Sequence, residues 1–343
     1  MSRSTSRFRR RGAERPLPGQ GATGQDADRT PAADPPLFTW TQLALILVLA
    51  VLAAVGLVLA LERGASLRTA PAPTPTAAAD VPFGSRPASK AVTCNRGFGM
   101  TISGHTFRDI RDDTPAISIL GCTNVVIEDN DFIGDAEPIY VQGSTNVIIR
   151  RNRYQNITGP HERNGSHRGN FTQWDNSFGG QIVDNTGIGG DTEDVISIYQ
   201  SGGEDAAHPL LIARNHFEGT NWTSVSGSGI LLGDGGGSHV VVRDNVLLNV
   251  GQVGIGIAGG SDIHVLHNTV YGERRAGSNV GIYAWGQGAS CSALEITGNR
   301  VWFEKANGTQ SPIYDAGNCG TIAGLGANRF GSPLAEESLR VHL

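Results

Sequence analysis

NVVIEDNDF (124–132) and NVIIRRNRY (146–154) are one nine-residue phrase written twice, 22 positions apart. Written as apolar-x-apolar-x-x-Asn-x-apolar, it returns along the chain with its asparagine at Asn130, Asn152, Asn185, Asn215, Asn245, Asn268, Asn299 and Asn328. His105 holds the slot in an earlier copy, making nine, spaced 25, 22, 33, 30, 30, 23, 31 and 29 residues apart. Recurrence at such periods marks a solenoid. The weakest copy is the one at Asn185, where Gly180 and Gly187 stand in apolar slots.

A second strand follows each asparagine: Ile117-Ser-Ile119, Ile139-Tyr-Val141, Ile196-Ser-Ile198, Ile230-Leu-Leu232, Ile255-Gly-Ile257 and Ile282-Tyr-Ala284. Alternation sends the first and third residues inward and the middle one outward. One such rung cannot bury its own apolar face, whereas stacked rungs share a continuous core. At an inward-facing turn, an asparagine amide can donate to one neighbouring rung and accept from the other. The 47 glycines, about twice the usual share, follow no G-X-Y period and suit tight turns. A leucine-rich repeat shares the L-x-L-x-x-N-x-L core but needs a helical return, and the return here is Gly-rich and β-branched. The expected fold is all-β, a right-handed parallel β-helix of about nine rungs. Residues 95–330 thus resemble the pectin-lyase-like superfamily, a resemblance that implies a fold and no particular activity.

Residues 43–61 are nineteen positions without charge or proline, enough to cross a ~30 Å hydrocarbon layer as a helix. The run is too long and starts too far into the chain for a cleaved signal peptide. The expected organisation is a disordered cytoplasmic tail (1–36), a transmembrane helix (37–62) and a Pro/Ala-rich stalk (63–90). The β-helix domain (91–332) and a C-terminal tail (333–343) follow. Seven arginines against four acids in the N-terminal arm favour a cytoplasmic N-terminus, and the exported composition of the rest places the β-helix outside.

From Val81 onward the chain has 26 acidic and 18 basic residues, a net charge near −8. Nucleic acid, which needs a basic footprint, is excluded as the main partner. All four cysteines fall in this part, with no C-x-x-C zinc pair. Of the three possible connectivities, Cys94–Cys122 and Cys291–Cys319 are favoured, each spanning 28 residues, about one repeat. The match to G-x-G-x-x-G at 254–259 lies in a repeat strand with no helix after it, which excludes a dinucleotide loop.

Chemistry is sought where the second strands begin. Asp135 and Glu137 precede Ile139; His167 and Arg168 precede Asn170-Phe171; Asp191, Glu193 and Asp194 precede Ile196. On consecutive rungs these would set carboxylates above and below a His-Arg pair, beneath the insertion HERNGSH (161–167). Aromatics at outward slots or in loops (Tyr140, Tyr199, Tyr283, Trp285, Tyr314, with Trp174 and Trp222) offer flat faces for sugar rings. Tyr140, Trp174, Tyr283 and Trp285 are the expected substrate platform, and the expected partner is a polysaccharide or cell-surface glycan.

EDVISIYQS (193–201) also resembles the E-x-E-I-I-S-x-K-S segment of the alginate lyase and chondroitinase B family. That resemblance implies carboxylates holding Ca²⁺ and a lysine base. Here there is one extra residue, and Tyr199-Gln200 stand in place of the lysine. By that likeness Glu193 and Asp194 are candidate Ca²⁺ ligands, Arg168 a clamp for the sugar carboxylate, and His167 or Tyr199 the base. The primary expectation is therefore a polysaccharide lyase or C5-epimerase acting on uronate. A glycoside hydrolase using Glu137 and Asp194 and a non-catalytic glycan binder are the alternatives.

Overall fold

A computed structural model of the chain describes residues 81–111, 114–159, 169–219 and 227–343. The expected anchor at 43–61, the tail before it, most of the stalk, His167, Arg168 and Trp222 lie outside these residues. Among the described residues no helix is long and apolar enough to cross a membrane.

The described chain winds through three sheets in strict rotation, and every pairing between strands is parallel. The first sheet has ten strands, from Ala88–Ser89 to Arg329–Phe330; the second has nine, from Val92–Asn95 to Ile313–Asp315; the third has eight, from Thr101–Ser103 to Cys291–Thr297. This is the expected parallel β-helix. The register keeps alike residues in columns: Ile117, Ile139, Thr172, Ile196, Ile230, Ile255, Ile282 and Ile313 follow one another across the second sheet. Inward side chains of all three sheets fuse into one apolar core, with rings of Phe107 and Phe132 stacked at 5.2 Å and those of Phe171 and Phe217 tilted against each other at 5.7 Å.

The asparagines form a continuous ladder at the corner between third and first sheets. From Asn130 to Asn299 each Nδ2 donates to the Oδ1 of the next rung and to a strand carbonyl of the rung before, and from Asn152 to Asn328 each Oδ1 also accepts the preceding asparagine's backbone N–H. For Asn215 the bonds run to Asn245 Oδ1 (2.9 Å) and Ile182 O (2.9 Å), with Asn185 N–H arriving at 3.1 Å. His105 closes one end by donating its backbone N–H to Asn130 Oδ1. The residue before each asparagine from Asn130 to Asn299 is left-handed, and its charge alternates over the first five: Asp129, Arg151, Asp184, Arg214, Asp244. Ion pairs Arg151–Asp129 and Arg214–Asp184 bind this outer column. A second ladder stands at the corner between second and third sheets. There the hydroxyls of Ser144, Ser177 and Ser201 accept the N–H groups of Cys122, Ser144 and Ser177.

The glycine at 187 has a packing reason. A Cβ there would fall 1.9 Å from the ring of Tyr154 on the neighbouring rung, and that ring is fully buried. Large and absent side chains therefore share one slot. Gly187→Ala should lower stability by about 1–3 kcal/mol through overpacking. In thermal melts Tyr154→Leu added to it should recover part of the loss; additive effects would contradict this pairing.

Both disulfides form as expected, Cys94–Cys122 and Cys291–Cys319, one near each end of the stack. The C-terminal segment is docked rather than trailing. Val341 N–H and the Arg340 guanidinium both bind the buried carboxylate of Glu218 (2.9 and 2.5 Å), and Leu339 O meets His216 Nε2 at 2.7 Å.

Candidate functional site

The outer face of the second sheet carries an open cleft of about 510 Å³. Its floor and edge come from five successive rungs, those of Asp194–Tyr199, Ser228–Asp234, Val253–Ile257, Val280–Ala284 and Ile313–Asp315. Four inter-strand spacings of ~4.8 Å make it roughly 19 Å long. Glu193 and Asp194 stand at one end, while Tyr283, Trp285 and Tyr314 line the other, and Lys305 is the cation among the described lining residues.

Local structure explains each position. Tyr283 is paired in register with Gly256 on the neighbouring strand, and a Cβ on that glycine would meet the tyrosine ring at 2.6 Å. The ring therefore reclines over the bare backbone of the previous rung, packing with Leu231, Val253 and Val280. Gln287 Nε2 donates to its hydroxyl at 3.2 Å. Trp285 and Tyr314 stay 46% and 52% exposed, so their faces are available to a ligand.

Asp194 is buried at the strand edge and accepts the Ser228 N–H at 2.7 Å. Burial, then the adjacent charge of Glu193, pushes its carboxyl up to about 7, against hydrogen bonds from Ser228 that lower it. Burial also raises Asp234. Tyr283 is held protonated by burial and by the fields of Asp194 and Asp234. The cleft thus pairs a proton-bearing carboxyl with a second carboxylate and an aromatic wall.

The rungs beginning at Ile139, Thr172 and Ile196 are consecutive, as the alignment of second strands requires. Glu137 belongs to the first of them, two rungs from Asp194 and outside the cleft lining. A polar relay links these rungs: Tyr140 OH donates to Asp175 (2.5 Å), Gln173 Nε2 to Asp175 (3.0 Å) and Asn170 Nδ2 to Gln173 (3.0 Å). Asn170 Oδ1 then accepts the Asp194 N–H at 2.9 Å. Tyr140 is tied into that relay, and burial raises its hydroxyl pKa.

Two expected residues fall elsewhere. Trp174 is fully buried, because its register with Val141 and Ile198 turns it inward; it is a core residue and cannot meet a sugar. Tyr199 lies five residues along the strand from Asp194, roughly 16 Å away, against Gly235 and outside the cleft lining. It cannot serve as a base for a group held by Asp194.

Asp135 is likewise buried, its carboxyl raised to about 6 by desolvation. It accepts the Ile110 N–H at a corner of the stack, a structural role. Ca²⁺ takes six to eight oxygens, and among the described residues no group of three acidic, His or Cys side chains converges.

The chain belongs to the right-handed β-helix family: the model described as "Right handed beta helix region" matches residues 90–301, more than half of its length. Among solved structures, PfbA, a surface adhesin of Streptococcus pneumoniae, is similar with 14% identity and a TM-score of 0.35. That match covers 65% of this chain and 66% of that one, just under two thirds of its length. No curated protein matches.

Proposed function

We propose that this chain is a membrane-tethered extracellular carbohydrate-active protein that lays a glycan along the second-sheet cleft and cleaves it with Asp194 as proton donor. The observation that carries the reading is the meeting of two carboxylates and three aromatic rings in one open groove. Aromatic faces suit the C–H faces of sugar rings. A buried carboxyl that keeps its proton near neutrality suits protonation of a leaving glycosidic oxygen. Glu193 is the companion carboxylate that would deprotonate the attacking water. Two disulfides support an oxidising compartment, and the apolar run at 43–61 supports the tether.

Lyase or epimerase chemistry on uronate would need a cation against the sugar carboxylate. Lys305 is the cation among the described lining residues, at the wall away from Asp194, while the raised carboxyl of Asp194 beside Glu193 supports hydrolysis.

The test is a polysaccharide panel presented to the full chain in detergent, with and without calcium. Three readouts are followed: retention, new reducing ends and near-ultraviolet absorbance of unsaturated product. Retention with new reducing ends is expected. Ultraviolet-absorbing product would move the reading to a lyase, retention alone to a binder, and no retention of any glycan would remove it. Trp285→Ala should weaken retention about fivefold to tenfold in titrations, the range of a lost aromatic platform.

A further inference from the structure

Three of the strands that floor the cleft turn short corners into the third sheet. Ser228–Asp234 runs through 235–237 into Ser238–Arg243, Val253–Ile257 through 258–259 into Gly260–Leu266, and Val280–Ala284 through 285–290 into Cys291–Thr297. Across the outer face of those third-sheet strands, four side chains form one hydrogen-bonded file. His239 Nδ1 meets Asp262 Oδ2 at 2.6 Å, Asp262 Oδ1 meets His264 Nε2 at 2.9 Å, and His264 Nδ1 meets Glu295 Oε2 at 2.8 Å. Each is about one-third exposed.

Register sets His264 between Val241 and Glu295. Arg243 stands two residues beyond Val241, against Leu266, and pairs with Asp244. Beyond Glu295 lies the uncharged Ala323, and Asp234 on the second sheet acts on Asp194 and Tyr283. Among the described residues the charges acting on His264 are therefore Asp262 and Glu295, with His239 behind Asp262.

A neutral imidazole has one N–H and one lone pair, and an ionised carboxylate only accepts. With a carboxylate oxygen at both nitrogens of His264, only the imidazolium donates twice. His239 meets its carboxylate through Nδ1, which a neutral tautomer satisfies. Burial opposes the charge on His264, yet hydrogen bonds to Glu295 and Asp262 outweigh it and lift the ring above its ordinary 6.5.

We propose that His264 is a proton-operated staple: as the imidazolium it completes the file from His239 to Glu295 and ties the three rungs together. On losing its proton it keeps one hydrogen bond, turns a lone pair on the other carboxylate and gives up its attraction to both. Because each rung is held by its neighbours, the segment 285–297 then opens more often. The device stands whether or not the cleft takes a glycan. Its contribution is complete below about pH 6.5 and is lost as pH rises through the higher folded value.

Two measurements on the full chain in detergent test it. In a titration of histidine-labelled protein followed by NMR, the signal absent from His264→Gln should titrate above 6.5 and show both ring nitrogens protonated at pH 7. Hydrogen exchange, corrected for its intrinsic pH dependence, should show protection of 285–297 falling about threefold to fivefold between pH 6 and 8.5, the worth of a partly exposed ion pair. His264→Gln should give the lower protection at both pH values. The fall should persist in His239→Gln, and also in Asp194→Asn, which removes the other proton held near neutrality. A His264 titration at or below 6.5, unchanged protection in the parent, a fall that survives His264→Gln, or one abolished by either of the other variants would overturn the proposal.

Discussion

Asn215→Ala lowers the unfolding free energy by about 3–5 kcal/mol, the size expected when one substitution orphans several buried polar groups. Asn215 is almost fully buried, and its amide is the shared partner of three rungs. Its removal strands the backbone N–H and Nδ2 of Asn185, which lose their acceptor, and the carbonyl of Ile182, which loses its donor. No water can enter the packed corner cheaply to replace them. The same change at Asn328, a partly exposed end of the ladder, should cost much less, about 1 kcal/mol, since solvent reaches the groups it leaves. Urea denaturation of the two variants side by side measures the contrast. Equal, small losses would mean that the ladder decorates the stack rather than holding it.

The second large effect is a trade between activity and stability at one carboxyl. Asp194→Asn keeps shape and removes the proton donor, so turnover of any glycan found on the panel should fall by roughly 10²–10⁴-fold, the usual worth of a positioned general acid. The same variant should fold more firmly at high pH. The folded protein holds the Asp194 proton up to about pH 7, whereas the unfolded chain releases it near 3.8. Between those values the native state binds more protons, so its stability falls as pH rises and stays at the lower level above the folded pKa. Asparagine has no proton to lose, which flattens this part of the profile. Thermal melts from pH 4 to 8 should show the variant gaining on the parent by a few kcal/mol. Retained turnover with an unchanged stability slope would place the acid elsewhere.

The asparagine phrase was a reliable guide because the ladder demands one residue type at one turn of every rung, whatever length the loops between turns take. The glycines that blurred the copy at Asn185 became legible only with the neighbouring rung beside them, where Tyr154 fills the space Gly187 leaves. Trp174 misled for a related reason: TQWD lacks aliphatic alternation, so its inward parity is visible only through register with Ile139 and Ile196. The cleft was half visible. Glu193, Asp194, Tyr283 and Trp285 are brought together, whereas Tyr199 shares their strands but sits at the far edge. Two signals lay in the sequence unread. One is the alternating sign of the residue before the ladder asparagines, from Asp129 to Asp244. The other is the serine recurring at the next corner.

The docked C-terminal segment changes how the stack as a whole comes apart. In a linear array each repeat touches its neighbours alone, and loss can run inward from an end like a zipper. The tie from Arg340 and Val341 to Glu218 skips the first-sheet strands Val246–Leu248, Thr269–Gly272, Arg300–Phe303 and Arg329–Phe330. These rungs are thereby bracketed into a block that opens together or stays shut. The block includes the strand bearing Tyr283 and the turn bearing Trp285. The steadiness of the cleft's aromatic wall is therefore borrowed from a latch on another face, closed by Arg340 and Val341 on Glu218.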